Sequence, residues 1–194
     1  MMKKLFLLFA IILLLSGCSL FESSHEMEKN AEELVSEGSS AFVSGNYKDA
    51  IKAYTDLKDW YPFSKYAILA ELKIADAYYH LKAYDEAILA YETFENMHPK
   101  NDAIPYVIYR SGLCWFEQLD TVDRDQTPAK NSIAQFKRLI DQYPESEYAQ
   151  QAKGKIQTCL ENLSAHEFYV ANFYFKTKKY ESALKRYESL VSNY

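Results

Sequence analysis

Glycine and proline are both scarce in this sequence, five of each among 194 residues. Such a shortage of turn-formers argues against a fold of many short strands and suits long helices. No apolar run is long enough to span a bilayer: Leu5 to Leu15 has 11 residues, where a crossing helix needs about 20. Basic residues are outnumbered, 22 Lys and Arg against 27 Asp and Glu. Nucleic acid is therefore a poor partner, because phosphate binding rests on clustered cations. None of the four histidines, His25, His80, His98 and His166, has a metal-ligating partner at helical spacing. His166-Glu167 opens like a zinc-protease helix, but Val170 stands where the second His belongs. There is no glycine-rich phosphate loop and no nucleophile elbow. The chain is accordingly expected to be no enzyme and to hold no cofactor and no metal.

What is present begins at the N-terminus. Lys3 and Lys4 precede the apolar run, and Leu15-Ser16-Gly17-Cys18 follows it. A short positive segment, an apolar stretch and small residues before a cysteine make a bacterial lipoprotein signal. Residues 1–17 are expected to be removed, and the Cys18 thiol then carries a diacylglycerol. Ser19 stands where an aspartate would signal inner-membrane retention in enteric bacteria, which favours the outer membrane. Residues 18–27 are polar and patternless and read as a lipidated tether. The mature chain has 177 residues and a net charge of −7. Cys114 and Cys159 sit inside helical patterns among apolar residues. They either pair in an oxidising compartment or remain buried thiols that act as small hydrophobes.

From residue 28 onward the chain repeats itself. A small residue (Ala50, Ala87, Ser132, Ala183) is followed four places later by an aromatic (Tyr54, Tyr91, Phe136, Tyr187). Three further on stands Leu57, Phe94, Leu139 or Leu190, and the first three repeats then reach Pro62, Pro99 or Pro144. Residues three and four apart share a helix face, so the small residue admits a close helix and the aromatic fills the space beside it. Proline ends the helix, and Ser64, Asn101-Asp102 and Ser146 are placed to cap the next one. The preceding segments agree, with Leu34, Gly38 and Ala41 matched by Ile74, Ala75 and Tyr78, by Ile108, Gly112 and Trp115, and by Val170, Ala171 and Tyr174. The pattern predicts an all-α fold, a right-handed superhelical solenoid of tetratricopeptide hairpins over 28–194. Helices are expected at 28–44, 47–60, 64–81, 84–97, 102–118, 129–142, 146–177 and 180–194. The penultimate one, lacking any break, should serve two repeats. Eight extra residues, Asp120 to Thr127, interrupt the third hairpin.

Two sets of residues are candidates for binding. Phe42, Leu72, Tyr79, Tyr106, Tyr109, Phe116, Phe168 and Phe175 fall where first-helix side chains line the concave face of such a solenoid. Any one of them could equally be inter-repeat packing. As a set they suggest a groove for an extended peptide bearing aromatics, since aromatics give large contact area at low entropy cost. Asp123, Arg124 and Asp125 lie in the inserted loop, which is expected to be ordered. They should either fix it through salt bridges and caps or contact a partner.

The combination is more specific than a generic repeat protein. The lipobox, Val122-Asp123-Arg124-Asp125-Gln126-Thr127-Pro128, Tyr143-Pro144-Glu145-Ser146-Glu147-Tyr148-Ala149 and Leu163-Ser164-Ala165-His166-Glu167-Phe168-Tyr169-Val170-Ala171-Asn172-Phe173-Tyr174 together resemble the BamD family. The resemblance covers essentially the whole mature chain. It implies an outer-membrane lipoprotein facing the periplasm, within the machinery that inserts β-barrel proteins into the outer membrane. The implied partners are the barrel subunit with its accessory lipoproteins, and unfolded barrel precursors recognised through an aromatic-rich C-terminal signal. No catalysis and no cofactor are implied. Family members run on through a fifth repeat that contacts the barrel subunit. This sequence stops at Tyr194, before the proline that should close its fourth repeat, so that contact does not carry over directly. Of Ala183, Leu184, Tyr187, Leu190 and Val191 in the last helix, some are expected to face the preceding helix and the rest to lack cover. The rival readings are a tetratricopeptide lipoprotein adaptor for cell-wall or envelope-division factors, and an enzyme built on a solenoid scaffold.

Overall fold

Small residues set the distance between helices here. The computed structural model describes residues 29–194, so the expected signal peptide, Cys18 and the tether lie outside the described residues. Among the described residues eight helices follow one another: α1 Ala31–Val43, α2 Tyr47–Trp60, α3 Ala67–His80, α4 Tyr84–Met97, α5 Ile104–Phe116, α6 Thr127–Gln142, α7 Glu147–Lys176 and α8 Tyr180–Asn193. No strand occurs among the described residues. Each helix packs on its neighbours in sequence, and α5 also reaches α7. This is the contact pattern of a helical-hairpin solenoid.

Within each hairpin a small residue meets a ring. A Cβ built on Gly38 would lie 2.8 Å from the Tyr54 ring, and one on Gly112 would lie 2.5 Å from Phe136. Ala75 and Ala171 occupy the matching places in the other two hairpins, and both are fully buried. The residue after each small one completes the motif. Tyr54 Oη donates to Ser39 Oγ at 3.5 Å, Tyr91 Oη to Asp76 Oδ1 at 2.7 Å, and Tyr187 Oη to Asn172 Oδ1 at 2.9 Å. In the third hairpin the aromatic is Phe136, with no hydroxyl, and the matching residue is apolar Leu113. A buried hydroxyl needs an acceptor, and where the hydroxyl is missing the acceptor is missing too.

The turns repeat as well. After α1, α3 and α7 the chain passes through a left-handed residue: Gly45 at φ 78°, Lys82 at 60° and Lys178 at 62°. The next amide reaches back five residues, Asn46 to Ala41 O, Ala83 to Tyr78 O and Lys179 to Tyr174 O, at 2.8, 3.0 and 2.9 Å. This is the Schellman closure of a helix C-terminus. After α2, α4 and α6 the residue before proline closes the helix in one conformation, φ −128°, −127° and −136° at Tyr61, His98 and Tyr143. Ser146 caps α7 as expected, accepting from the Tyr148 amide at 3.2 Å. Ser64 and Asn101 accept from the Tyr66 and Ala103 amides, at 3.2 and 2.9 Å, and so cap a single turn that precedes the helix proper. For that reason α3 and α5 start later than the sequence pattern suggested.

The core falls into three clusters. The largest joins α3 to α7 around Tyr91, Phe94, Ile108 and Phe136, a second holds α1 to α3 around Leu34, Tyr54 and Leu57, and a small third links α6 to α7 around Ile133, Cys159 and Leu163. Cys114 and Cys159 are both free and fully buried, and they belong to different clusters. Burial pushes the Cys114 thiol up to about 12, despite the opposing pull of Arg110, so it stays a protonated packing group. Helix α7 runs unbroken for 30 residues and packs against α6 with one part and α8 with another. The fourth hairpin is less buried than the others: Tyr187 and Leu190 are half-buried, and Leu184 and Val191 are exposed.

The two helical glycines of α5 and α7 should respond in opposite ways. Gly112→Ala forces a methyl into the wholly buried Phe136 ring and should cost about 1–3 kcal/mol, more than its helix-propensity gain of ~1 kcal/mol. Gly154→Ala meets nothing within 4 Å and should stabilise by roughly 0.5–1 kcal/mol. Urea denaturation of the two variants checks the signs.

Candidate peptide-binding surface and braced loop

One of the three tyrosine acceptors differs from the others. Ser39 and Asn172 are neutral, whereas Asp76 is a carboxylate and is only 3% exposed. A buried charge has to be paired and hydrogen-bonded. Asp76 Oδ1 accepts from Tyr91 Oη and Tyr106 Oη, each at 2.7 Å, and Oδ2 accepts from Lys73 Nζ at 3.0 Å. Arg110 Nε donates to Tyr91 Oη at 3.1 Å and stops 3.9 Å from Asp76 Oδ1. Its guanidinium lies 3.7 Å over the Tyr79 ring and 5.7 Å from that of Tyr106. Burial, chiefly, with Glu117 adding to it and Arg110 opposing, pushes the Tyr79 hydroxyl up to about 12. Burial and then Arg110 hold His80 below its ordinary value, against the opposing pull of Asp76.

This network gathers part of the sequence-derived aromatic set. Phe42 is half-buried, edge-on to Tyr47 and His80, with Lys73 Nζ 5.1 Å above its ring. Lys73 thus joins Phe42 to Asp76, and Asp76 joins it to Tyr106, Arg110 and Tyr79. Tyr106 also meets Tyr148 at 5.5 Å. Leu72 is half-buried against the largest core cluster. Tyr109 is only 9% exposed and packs on Phe136 and Tyr148, so it is a core residue. Phe116 is half-buried beneath Lys155 Nζ, 4.1 Å from the ring centre. Phe168 and Phe175, 53% and 55% exposed, pack instead beside Tyr187 and Tyr180 of α8. Asp76 and Arg110 escaped the sequence reading. The only signal for Asp76 was its place one residue after Ala75, where the other tyrosine repeats carry Ser39 and Asn172.

The inserted loop is braced on α7. Asn162 Nδ2 donates to Asp120 O at 3.2 Å, and His166 Nδ1 lies 2.6 Å from Val122 O. A carbonyl only accepts, so His166 carries a proton on Nδ1. Inside the loop, Thr121 Oγ1 donates to Asp123 Oδ1 at 2.6 Å, and the Thr127 amide and hydroxyl both donate to Asp125 Oδ1, at 3.1 and 2.9 Å. These bonds hold both carboxyls below their ordinary values. Buried Gln126 donates to the carbonyls of Thr121 and Arg124. Asp123, Arg124 and Asp125 are exposed, and among the described residues none of them enters an ion pair. Caps, not the expected salt bridges, therefore order the loop. No described helix is long and apolar enough to cross a membrane.

The Asp76 pair makes a direct stability test. Asp76→Leu leaves the buried Tyr91 hydroxyl without its acceptor and should cost about 1–3 kcal/mol for that group alone. Asp76→Leu with Tyr91→Phe reproduces the Leu113–Phe136 pair of the third hairpin and should be more stable than the single variant. Chemical denaturation of the three proteins decides it.

The comparisons with known proteins agree with this architecture. The BamD assembly factor of Neisseria gonorrhoeae is 28% identical over 208 residues, covering 100% of this chain and 78% of that protein. That of Vibrio cholerae is 29% identical over 193 residues, covering 93% and 79%. The tetratricopeptide domain of Arabidopsis OM64 superposes with a TM-score of 0.51 at 15% identity, over 68% of this chain and 97% of that domain, which shows a shared fold alone. The family YfiO, described as outer membrane lipoprotein, matches residues 27–194, and the chain belongs to it.

Proposed function

We propose that this protein is a lipoprotein subunit of the outer-membrane β-barrel assembly machinery, acting as a binding scaffold. The observation that carries this reading is the match of nearly the whole chain to relatives named outer membrane protein assembly factor BamD. Those names favour it over an adaptor for cell-wall or division factors. On this reading Cys18 carries the lipid, the solenoid faces the periplasm, and the partners are the barrel subunit, its accessory lipoproteins and unfolded barrel precursors.

Two surfaces are assigned to these partners. The half-buried aromatics of α1, α3 and α5, chiefly Phe42, Tyr79 and Tyr106, form the precursor side, with Leu72 and Phe116 at its borders. Tyr109 supports them from the core. Phe168 and Phe175 are exposed on the C-terminal part of α7 and would meet a different stretch of a long ligand. The rigid loop presents Asp123, Arg124 and Asp125 toward a protein partner, since a pre-ordered contact loses less entropy on binding.

Phe42→Ala with Tyr79→Ala should weaken binding of a peptide corresponding to the C-terminal strand of a barrel protein, by about 1–2 kcal/mol per lost anchor, with helical content unchanged. Unaltered affinity, read by calorimetry, overturns the assignment. Cys18→Ala should release the protein from the outer membrane, read by fractionation in cells that lack its partners.

A further inference from the structure

The proposal starts from two cations, Lys73 and Arg110, that share one carboxylate, Asp76. Asp76 accepts three hydrogen bonds, from Tyr91, Tyr106 and Lys73. Lys73 balances its charge, so the charge on Arg110 has no carboxylate in hydrogen-bond contact; its nearest, Asp76 Oδ1, is 3.9 Å from Nε. Within the guanidinium only Nε is committed, to Tyr91 Oη. Neither Nη donates to any protein atom among the described residues. Both still touch solvent, because among the described residues the one buried side-chain polar atom without a partner is Gln126 Oε1. The group is nonetheless held rigidly. It is stacked 3.7 Å over Tyr79, flanked by Tyr106, and its side chain is only 14% exposed. A fixed, partly desolvated guanidinium with a free two-nitrogen edge matches the planar geometry of a carboxylate. A phosphate would also fit such an edge, but Lys73, Arg110 and Asp76 together carry one excess positive charge, which suits a monoanion better.

We propose that Arg110 is the receptor for a carboxylate of a bound peptide, taking it bidentately through Nη1 and Nη2 while Tyr79, Tyr106 and Phe42 receive neighbouring side chains. This deepens the peptide-binding reading above and rests on it. Asp76 is then a positioning residue: through Tyr91 and Tyr106 it orients Arg110 without neutralising its outer edge. The carboxylate comes either from the C-terminus of the peptide or from an Asp or Glu side chain within it, and the test separates the two.

The test uses short N-acetylated peptides with aromatic residues at alternate positions. One pair differs only in a free or amidated C-terminus, and a second, amidated pair differs only in an internal Glu or Gln. Wild-type protein should bind one acid form about tenfold or more tighter than its neutral twin, the size expected of charge-assisted hydrogen bonds. Arg110→Ala should erase that preference while still binding the neutral peptides. Asp76 keeps its three donors in this variant, so the fold should survive, as circular dichroism and the melting temperature would report. Should Arg110→Ala fail to fold, Arg110→Lys carries the test: it retains the charge without the planar fork and should lose most of the preference. A preference confined to the first pair assigns the C-terminal carboxylate, and one confined to the second assigns a side chain. Equal binding of acid and neutral forms by wild type overturns the proposal, as does a preference that persists in the variants. Both results leave peptide binding itself intact. If no peptide of either pair binds, the peptide-binding reading fails and this proposal falls with it.

Discussion

Every hairpin of this solenoid depends on a ring seated against a residue with little or no side chain. Gly38 under Tyr54 and Gly112 under Phe136 leave no room for a methyl, and Ala75 and Ala171 hold the same place in the other hairpins. Close approach of the two helices follows from that contact. So does the burial of Leu57, Phe94 and Leu139, which stand three residues beyond each ring. The turns then need only bring the chain back. They do so by two recurring devices, a left-handed residue inside the hairpin and, between hairpins, a residue before proline held at φ −127° to −136° and ψ 53° to 58°. Because both devices are local, each repeat is specified largely by itself and its neighbour.

The same contact has a polar consequence that shapes the candidate site. A tyrosine ring driven into the hairpin carries its hydroxyl with it, and the hydroxyl must be accepted. Two hairpins solve this with neutral acceptors and one omits the hydroxyl. The second hairpin uses a carboxylate, and a buried carboxylate calls in further donors: Tyr106, Lys73 and, through Tyr91, Arg110. What looks like a surface feature is thus the outer end of a chain of hydrogen bonds rooted in the core. That root makes the aromatic and cationic groups on α3 and α5 rigid, and rigidity is what a binding surface requires to avoid an ordering cost.

The inserted loop and the long helix belong together. Ten residues of connection between α5 and α6 would ordinarily be mobile, and here Asn162 and His166 of α7 accept the task of holding its backbone. Helix α7 can reach the loop only because it continues past the third hairpin into the fourth without a break. The absence of a proline between Ser146 and Thr177 therefore has a structural purpose beyond helix length.

Helix positions, the hairpin pairing and the buried faces were legible in the sequence, because they rest on spacings of three, four and twelve residues and on proline, all local properties of a helical chain. The family likeness was legible for the same reason, as contiguous strings. Boundaries were off where Ser64 and Asn101 cap a preliminary turn, since a cap residue does not announce how far the helix lies behind it. The candidate site was legible only in part. Phe42, Tyr79, Phe116 and Phe175 share a helix position, four residues after the small one, but sequence could not separate half-buried Phe42 and Tyr79 from exposed Phe175 beside α8, nor Tyr106 from buried Tyr109 or exposed Phe168. Nor could it find Asp76 and Arg110, which are 34 residues apart. Which rings are covered, and which charges neutralise one another, depends on the packing of separate helices. Only the tertiary structure decides that, because burial and Coulomb pairing act through space and leave no period along the chain.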